Sequence, residues 1–277
     1  MTHVLAAMDD PSTAGPVLDT AVLMSRSLGA TLRAVQSAPG ITQAQARAAA
    51  LGIELELLSG TIDETVLTAA TDPAVGLVVI GLHREEGRKV PGHLVHALAD
   101  RMRMPLVLVP EHATLRQAPS RVLFPIDGTL RVSAAARPFL ATYVAAGYDV
   151  HALHVFEPTT VPRFHDGPED EQVWRDEFVA EHFAELNVQL TTRAGPLVPV
   201  LLETAEQHAA DIIALPTRPD ASEDERSVIR QVLEGARCPV ALVPMPPRGG
   251  SVPVQRVGLT AVTPARAQPP TPSGVHE

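Results

Sequence analysis

Short runs of apolar, often β-branched residues alternate along the chain with longer stretches whose apolar positions recur every three or four residues. That is the pattern of parallel strands joined by crossover helices. Strands are predicted at about 3–8, 31–36, 53–58, 76–81 and 106–110, with helices near 15–28, 42–51, 62–71 and 92–103. The same series then recurs, with strands at about 121–126, 149–155, 187–192, 211–215 and 240–244 and helices near 133–146, 169–185, 197–209 and 223–235. Five strands and four helices per unit predict an α/β fold of two tandem, doubly wound, five-stranded parallel sheets of Rossmann-like type.

The two units share their ends. Val4-Leu5-Ala6-Ala7-Met8-Asp9 opens the first and Val122-Leu123-Phe124-Pro125-Ile126-Asp127 the second, 118 positions later (127 − 9). Pro105 through Pro110 closes one, and Pro239 through Pro244 closes the other, 134 positions later (239 − 105). The larger second offset comes from Glu157–Asp170, rich in proline and acid, which precedes a longer helix containing Trp174. An exposed loop with an extended helix is the expectation there, and a lid or a dimer contact is the alternative. The domains implied are 1–112 and 121–246, joined by a short linker. Residues 247–277 have no apolar period and are expected to form a flexible, Pro-rich tail.

Charge removes some classes of function. Residues 1–115 carry 8 basic and 12 acidic side chains (8 − 12 = −4), and residues 121–245 carry 10 and 19 (10 − 19 = −9). No nucleic-acid partner is expected, because binding one takes clustered positive charge. No run of about 18 apolar residues suggests a membrane span, and the expected location is cytoplasmic. Cys238, the single cysteine, fits a reducing compartment and reads as a buried structural thiol.

An aspartate after the first strand, a glycine ending the fourth, a loop into the last helix and a Pro-Val-type closing strand together resemble the universal stress protein family, in a tandem form covering about 1–110 and 121–245. The resemblance implies the strand order 3-2-1-4-5 in each unit and an intrachain pseudo-dimer through the last strands, with a homodimer left open. Nucleotide-binding members carry G-x-x-G-x9-G-[S/T] between the fourth strand and the last helix. There glycines let the backbone approach the phosphates, and the free N–H groups of the helix start hold the anion. The first unit matches at Asp9, Gly81 and Gly92 but has Arg84 and His93 where Gly and Ser or Thr belong, and its loop spans 11 positions (92 − 81) instead of 13. Arg84, Arg88 and Lys89 still offer an anion positive charge, against Glu85 and Glu86. The second unit keeps Asp127-Gly128-Thr129, but Ala214, Thr217 and Arg226 stand at the glycine positions and only Ser227 survives from the final pair. Ser222 and Glu225 there read as a capping box, with Glu223 and Asp224 on the positive end of the helix.

The resemblance therefore implies a non-catalytic stress-adaptation or regulatory module with a degenerate nucleotide site and an unidentified protein partner. The alternative is an ATP or other adenine-nucleotide sensor using only the first unit, with slow hydrolysis. A small-molecule enzyme on this scaffold is the third reading. Candidate ligand-binding residues are Asp9, Gly81, Arg84, Gly92 and His93; no catalytic or metal residues are assigned. Asp9 or Ser12 has the competing role of capping the first helix. His93 and His96 share a helix face but lack a third metal ligand, whereas His151 and His154 lie on opposite faces of a strand.

Overall fold

The computed structural model describes residues 3–8, 10–36, 42–57, 64, 66–68, 72–82, 104–113, 120–156 and 168–248. In the first half, β1 (His3–Met8), α1 (Pro11–Ser27), β2 (Thr31–Gln36), α2 (Thr42–Leu51), β3 (Leu55–Leu57), β4 (Val75–Leu82) and β5 (Leu106–Pro110) follow in order. The second half contributes β6 (Arg121–Ile126), α3 (Leu130–Ala145), β7 (Asp149–Phe156), α4 (Pro168–Phe183), β8 (Val188–Ala194), α5 (Leu197–Gln207), β9 (Ile212–Thr217), α6 (Glu223–Gly235) and β10 (Val240–Pro244). Of the predicted helix at 62–71, residues 64 and 66–68 are described and helical, while the one at 92–103 lies outside the described residues.

All ten strands join one sheet, in the order β3-β2-β1-β4-β5-β10-β9-β6-β7-β8. Each half thus has the order 3-2-1-4-5, and the two predicted five-stranded sheets meet edge to edge. Within each half the pairing is parallel, and β5 and β10 are antiparallel across the join. Val240 faces Leu108, Ala241 faces Val107 and Leu242 faces Leu106. With the 134-residue offset, Val107 faces its own counterpart, so a pseudo-two-fold axis passes between Val107 and Ala241.

Central strands such as β1 and β5 read as continuous apolar runs because both of their faces are buried. Val4, Ala6 and Met8 enter one core with α1 to α4, and Leu5 and Ala7 enter the other with α5 and α6. Both cores cross the join without interruption: Val107, Val109, Ala241 and Val243 lie in the first, and Leu106, Leu108, Val240 and Leu242 in the second. Cys238 is buried beside the second core, and burial pushes its thiol up to about 12, which makes it an inert apolar side chain at neutral pH. No described helix is long and apolar enough to cross a membrane.

Candidate functional site

In open α/β sheets ligands bind beyond the carboxyl ends of the strands where the strand order reverses. Here that point occurs twice, between β1 and β4 and between β6 and β9. Of the first-half candidates, Gly81 is the one within the described residues; Asp9, Arg84, Gly92 and His93 lie outside them, as do His96, Arg88 and Lys89. Gly81 is the penultimate residue of β4, and a Cβ placed there would come 2.2 Å from Oγ1 and 2.5 Å from Cβ of Thr13 on α1. Close packing of β4 on α1 is therefore enough to require glycine. The cap of α1 falls to Asp10, whose carboxylate accepts from the Ser12 backbone N–H at 2.7 Å and from the Ser12 hydroxyl.

In the second crevice the polar groups of Asp127, Arg218, Ser222 and Glu225 all lie within the described residues and are engaged with one another. Asp127, directly after β6, accepts from the Thr129 N–H at 2.9 Å and its hydroxyl at 2.7 Å, closing its own turn. Arg218, the first residue after β9, points into the crevice with only 14% of its side chain exposed. It lies 3.9 Å from Asp127 and 3.8 Å from Glu225, so one guanidinium bridges the two carboxylates. The capping box forms as the sequence predicts: Glu225 accepts from the Ser222 N–H at 2.8 Å, and the Glu225 N–H donates to the Ser222 hydroxyl at 3.2 Å. Burial alone would raise the Glu225 carboxyl, but the Ser222 N–H and then Arg248 outweigh it and hold the group below its ordinary range. Arg248, just beyond β10, donates to Glu225 at 2.8 Å while its backbone N–H donates to Asp220 at 2.7 Å. Arg131 on α3 donates to the Pro247 carbonyl. Together these contacts strap the chain leaving β10 across the mouth of the crevice.

The strand register corrects the comparison of the two halves. Gly81 pairs with Val109, and Val243, the counterpart of Val109, pairs with Pro216. The position equivalent to Gly81 is therefore Pro216. Ala214 is fully buried in the core and lies two residues short of the crevice. Proline has no N–H to offer an anion, so the substitution is more adverse than the alanine read from the sequence.

Beside Asp127 the floor of the second crevice is aromatic. His154 on β7 sits opposite the Ile126 carbonyl at 3.0 Å, and its ring packs on Phe156, Phe178 and Trp174. A side chain at Gly128 would approach the His154 ring to 3.2 Å. His182, stacked on Phe178, is held below the ordinary histidine range chiefly by burial, and its Nδ1 lies 3.1 Å from the Ser133 hydroxyl. His151 faces the other way, toward Asp149 at 2.9 Å and the His208 ring, as strand alternation requires. Sequence reading missed Arg218 and this aromatic floor. The insertion before α4 drew attention to Trp174, but nothing local marked Arg218 as more than a loop cation. Among the described residues no three His, Cys, Asp or Glu side chains stand together as a metal site.

Comparison with known proteins agrees with the fold. Residues 119–244 match the model of the universal stress protein family. A crystal structure of a universal stress protein from Archaeoglobus fulgidus DSM 4304 superposes with a TM-score of 0.58 at 15% identity, covering 87% of this chain and 98% of that one. A protein of unknown function from Pseudomonas aeruginosa PAO1 gives 0.61 at 11% identity, covering 88% and 93%. At these identities the two structures bear on fold alone. No curated protein matches the sequence. With residues 119–244 matched directly and the same strand order repeated in the first half, the chain is similar to the universal stress protein family over those residues and has the fold of the Archaeoglobus fulgidus universal stress protein, an α/β fold in two tandem halves.

Proposed function

We propose that the chain is a non-catalytic stress-adaptation or regulatory module whose second nucleotide crevice is closed by its own charges. The observation that carries this is the arrangement around Glu225. A phosphate at a helix start needs free N–H donors and a favourable dipole. At α6 the capping box occupies the Ser222 and Glu225 N–H groups, and Glu223, Asp224 and Glu225 fill the first turn with negative charge. Arg218 is held between Asp127 and Glu225, and Arg248 is paired with Glu225. A polyphosphate would have to separate these ion pairs and then lie beside three carboxylates. In this reading any adenine nucleotide is held by the first half, at Asp9, Gly81, Arg84, Gly92 and His93, and the module acts mainly through a protein partner.

Native mass spectrometry and thermal-shift titration with ATP, ADP and AMP test the proposal. The expected outcome is no co-purified nucleotide and no ligand-dependent rise in Tm. A rise abolished by Asp9→Ala and by Gly92→Glu, but kept in Asp127→Ala, would make the first half a nucleotide sensor. A rise lost in Asp127→Ala would show that the second crevice is open and overturn the proposal.

A further inference from the structure

The ten-stranded sheet has two edges, and they are not alike. β3 is three residues long, and its Glu56 is paired with Arg33 at 3.5 Å. β8 runs for seven residues, paired with β7 from Val188 to Ala194 without a register shift, and no strand lies on its outer side among the described residues. Natural edges of this length are usually guarded by a lysine, a proline, a bulge or an inward-pointing charge. β8 has no lysine, proline or bulge. Three of its polar side chains are turned to their own subunit: Gln189 reaches Asp149, Thr192 meets Arg175 and Glu171 on α4, and Arg193 reaches Gln207 and Glu203 on α5. Among the described residues no strand pairs with its outward backbone groups, which alternate residues present as a template.

Beside this edge, between α4 and β8, runs an open groove of about 490 Å³. Its floor includes Val179, Leu186, Val188 and Leu190, and Asp176 and Glu185 stand at its rim. The helix that forms its wall carries six acidic residues against one arginine, and that arginine, Arg175, is already tied to Glu171 and Thr192. Sheet edge and groove together offer a row of backbone hydrogen bonds, space beside the aliphatic side chains of Val179, Leu186, Val188 and Leu190 for every second residue, and the negative charge of Asp176 and Glu185. A second copy of the chain fits this poorly, because pairing β8 with its own copy would bring two acidic helices side by side.

We propose that the β8 edge is a docking site for an extended segment of a partner protein that alternates apolar and basic residues. The segment pairs with β8 as an eleventh strand, sends its apolar side chains into the groove, and sets its basic ones against Asp176 and Glu185. The site lies on the outer edge of the sheet, away from both crevices, and does not depend on whether either binds nucleotide.

The test uses the full chain and a short fluorescein-labelled peptide alternating valine with arginine, followed by anisotropy and by amide hydrogen exchange. Saturable binding is expected, with new protection confined to β8. N-methylating alternate peptide amides should abolish it, and Asp176→Lys combined with Glu185→Lys should weaken it roughly tenfold or more. Both positions are exposed, so an unchanged Tm will show that the variant is folded. Three results would overturn the proposal: no saturable binding, binding indifferent to N-methylation or to charge reversal, or β8 already protected in a peptide-free dimer, which would put a second copy on the edge.

Discussion

At the scale of single residues, Gly81 shows how one requirement can look like another. A glycine that lets a phosphate approach and a glycine that makes room for a neighbouring side chain both amount to a missing Cβ, and a sequence cannot separate them. The second reason holds here, with Thr13 filling the space. Gly81→Ala should destabilise the chain by ~1–3 kcal/mol, as overpacking of a tight site does. Thr13→Gly should cost about 1 kcal/mol by itself, as glycine in a helix. Combining the two should recover most of the Gly81→Ala loss, a coupling that urea denaturation of the four proteins in a double-mutant cycle would measure. Additive losses would remove the packing explanation. Arg218 is the opposite case: its meaning depends on Asp127 and Glu225, which the fold brings to it from the end of another strand and from the following helix. No local pattern could have announced it.

At the scale of elements, the amphipathic and apolar periods located the strands and helices of the described residues to within a few positions, because both sheet faces are buried and the burial pattern is therefore strong. The cap of α6 was legible for a different reason: a capping box is a contact between residues three apart, wholly contained in the sequence. The equivalence of Gly81 and Pro216 was not, since it is set by hydrogen bonding to β5 and β10 and not by counting along the chain. The α6 cap also makes a pH-dependent prediction. Glu225 has a lower pKa folded than unfolded, so its charged form favours the fold; the stabilisation is present above the unfolded pKa and is lost as pH falls through the folded one. Glu225→Gln keeps an acceptor for the Ser222 N–H but loses the charge that faces Arg248. Its stability deficit relative to the parent chain should be present at neutral pH and should close below about pH 4, the ordinary carboxylate range. Ser222→Ala, which removes the hydroxyl half of the box, should cost ~1 kcal/mol at either pH. A deficit of Glu225→Gln that persisted unchanged into acid would mean that the charge contributes nothing.

At the scale of the whole molecule, the decisive feature is the join between β5 and β10. An antiparallel pair in which Val107 faces its own counterpart is the contact that two separate copies would make across a two-fold axis. Here both partners lie on one chain, so the association carries no concentration dependence and the halves are free to diverge, as the two crevices have done. The strength of the join follows from its burial: Leu106, Val107, Leu108, Val240, Ala241 and Leu242 are each no more than 1% exposed, and both cores run through it. Separating the halves would uncover a strand edge and an apolar strip on each side of the sheet, at about 25 cal/mol for every Å² of apolar surface. The connection between β5 and β6 should therefore be dispensable once the protein has folded. With a protease site placed within residues 114–119, cleavage of the folded chain should leave two fragments that co-elute in size-exclusion chromatography and unfold in one transition. They should separate only in denaturant. Elution of the cleaved halves as two independent species would show that the tandem linkage, and not the sheet, holds them together.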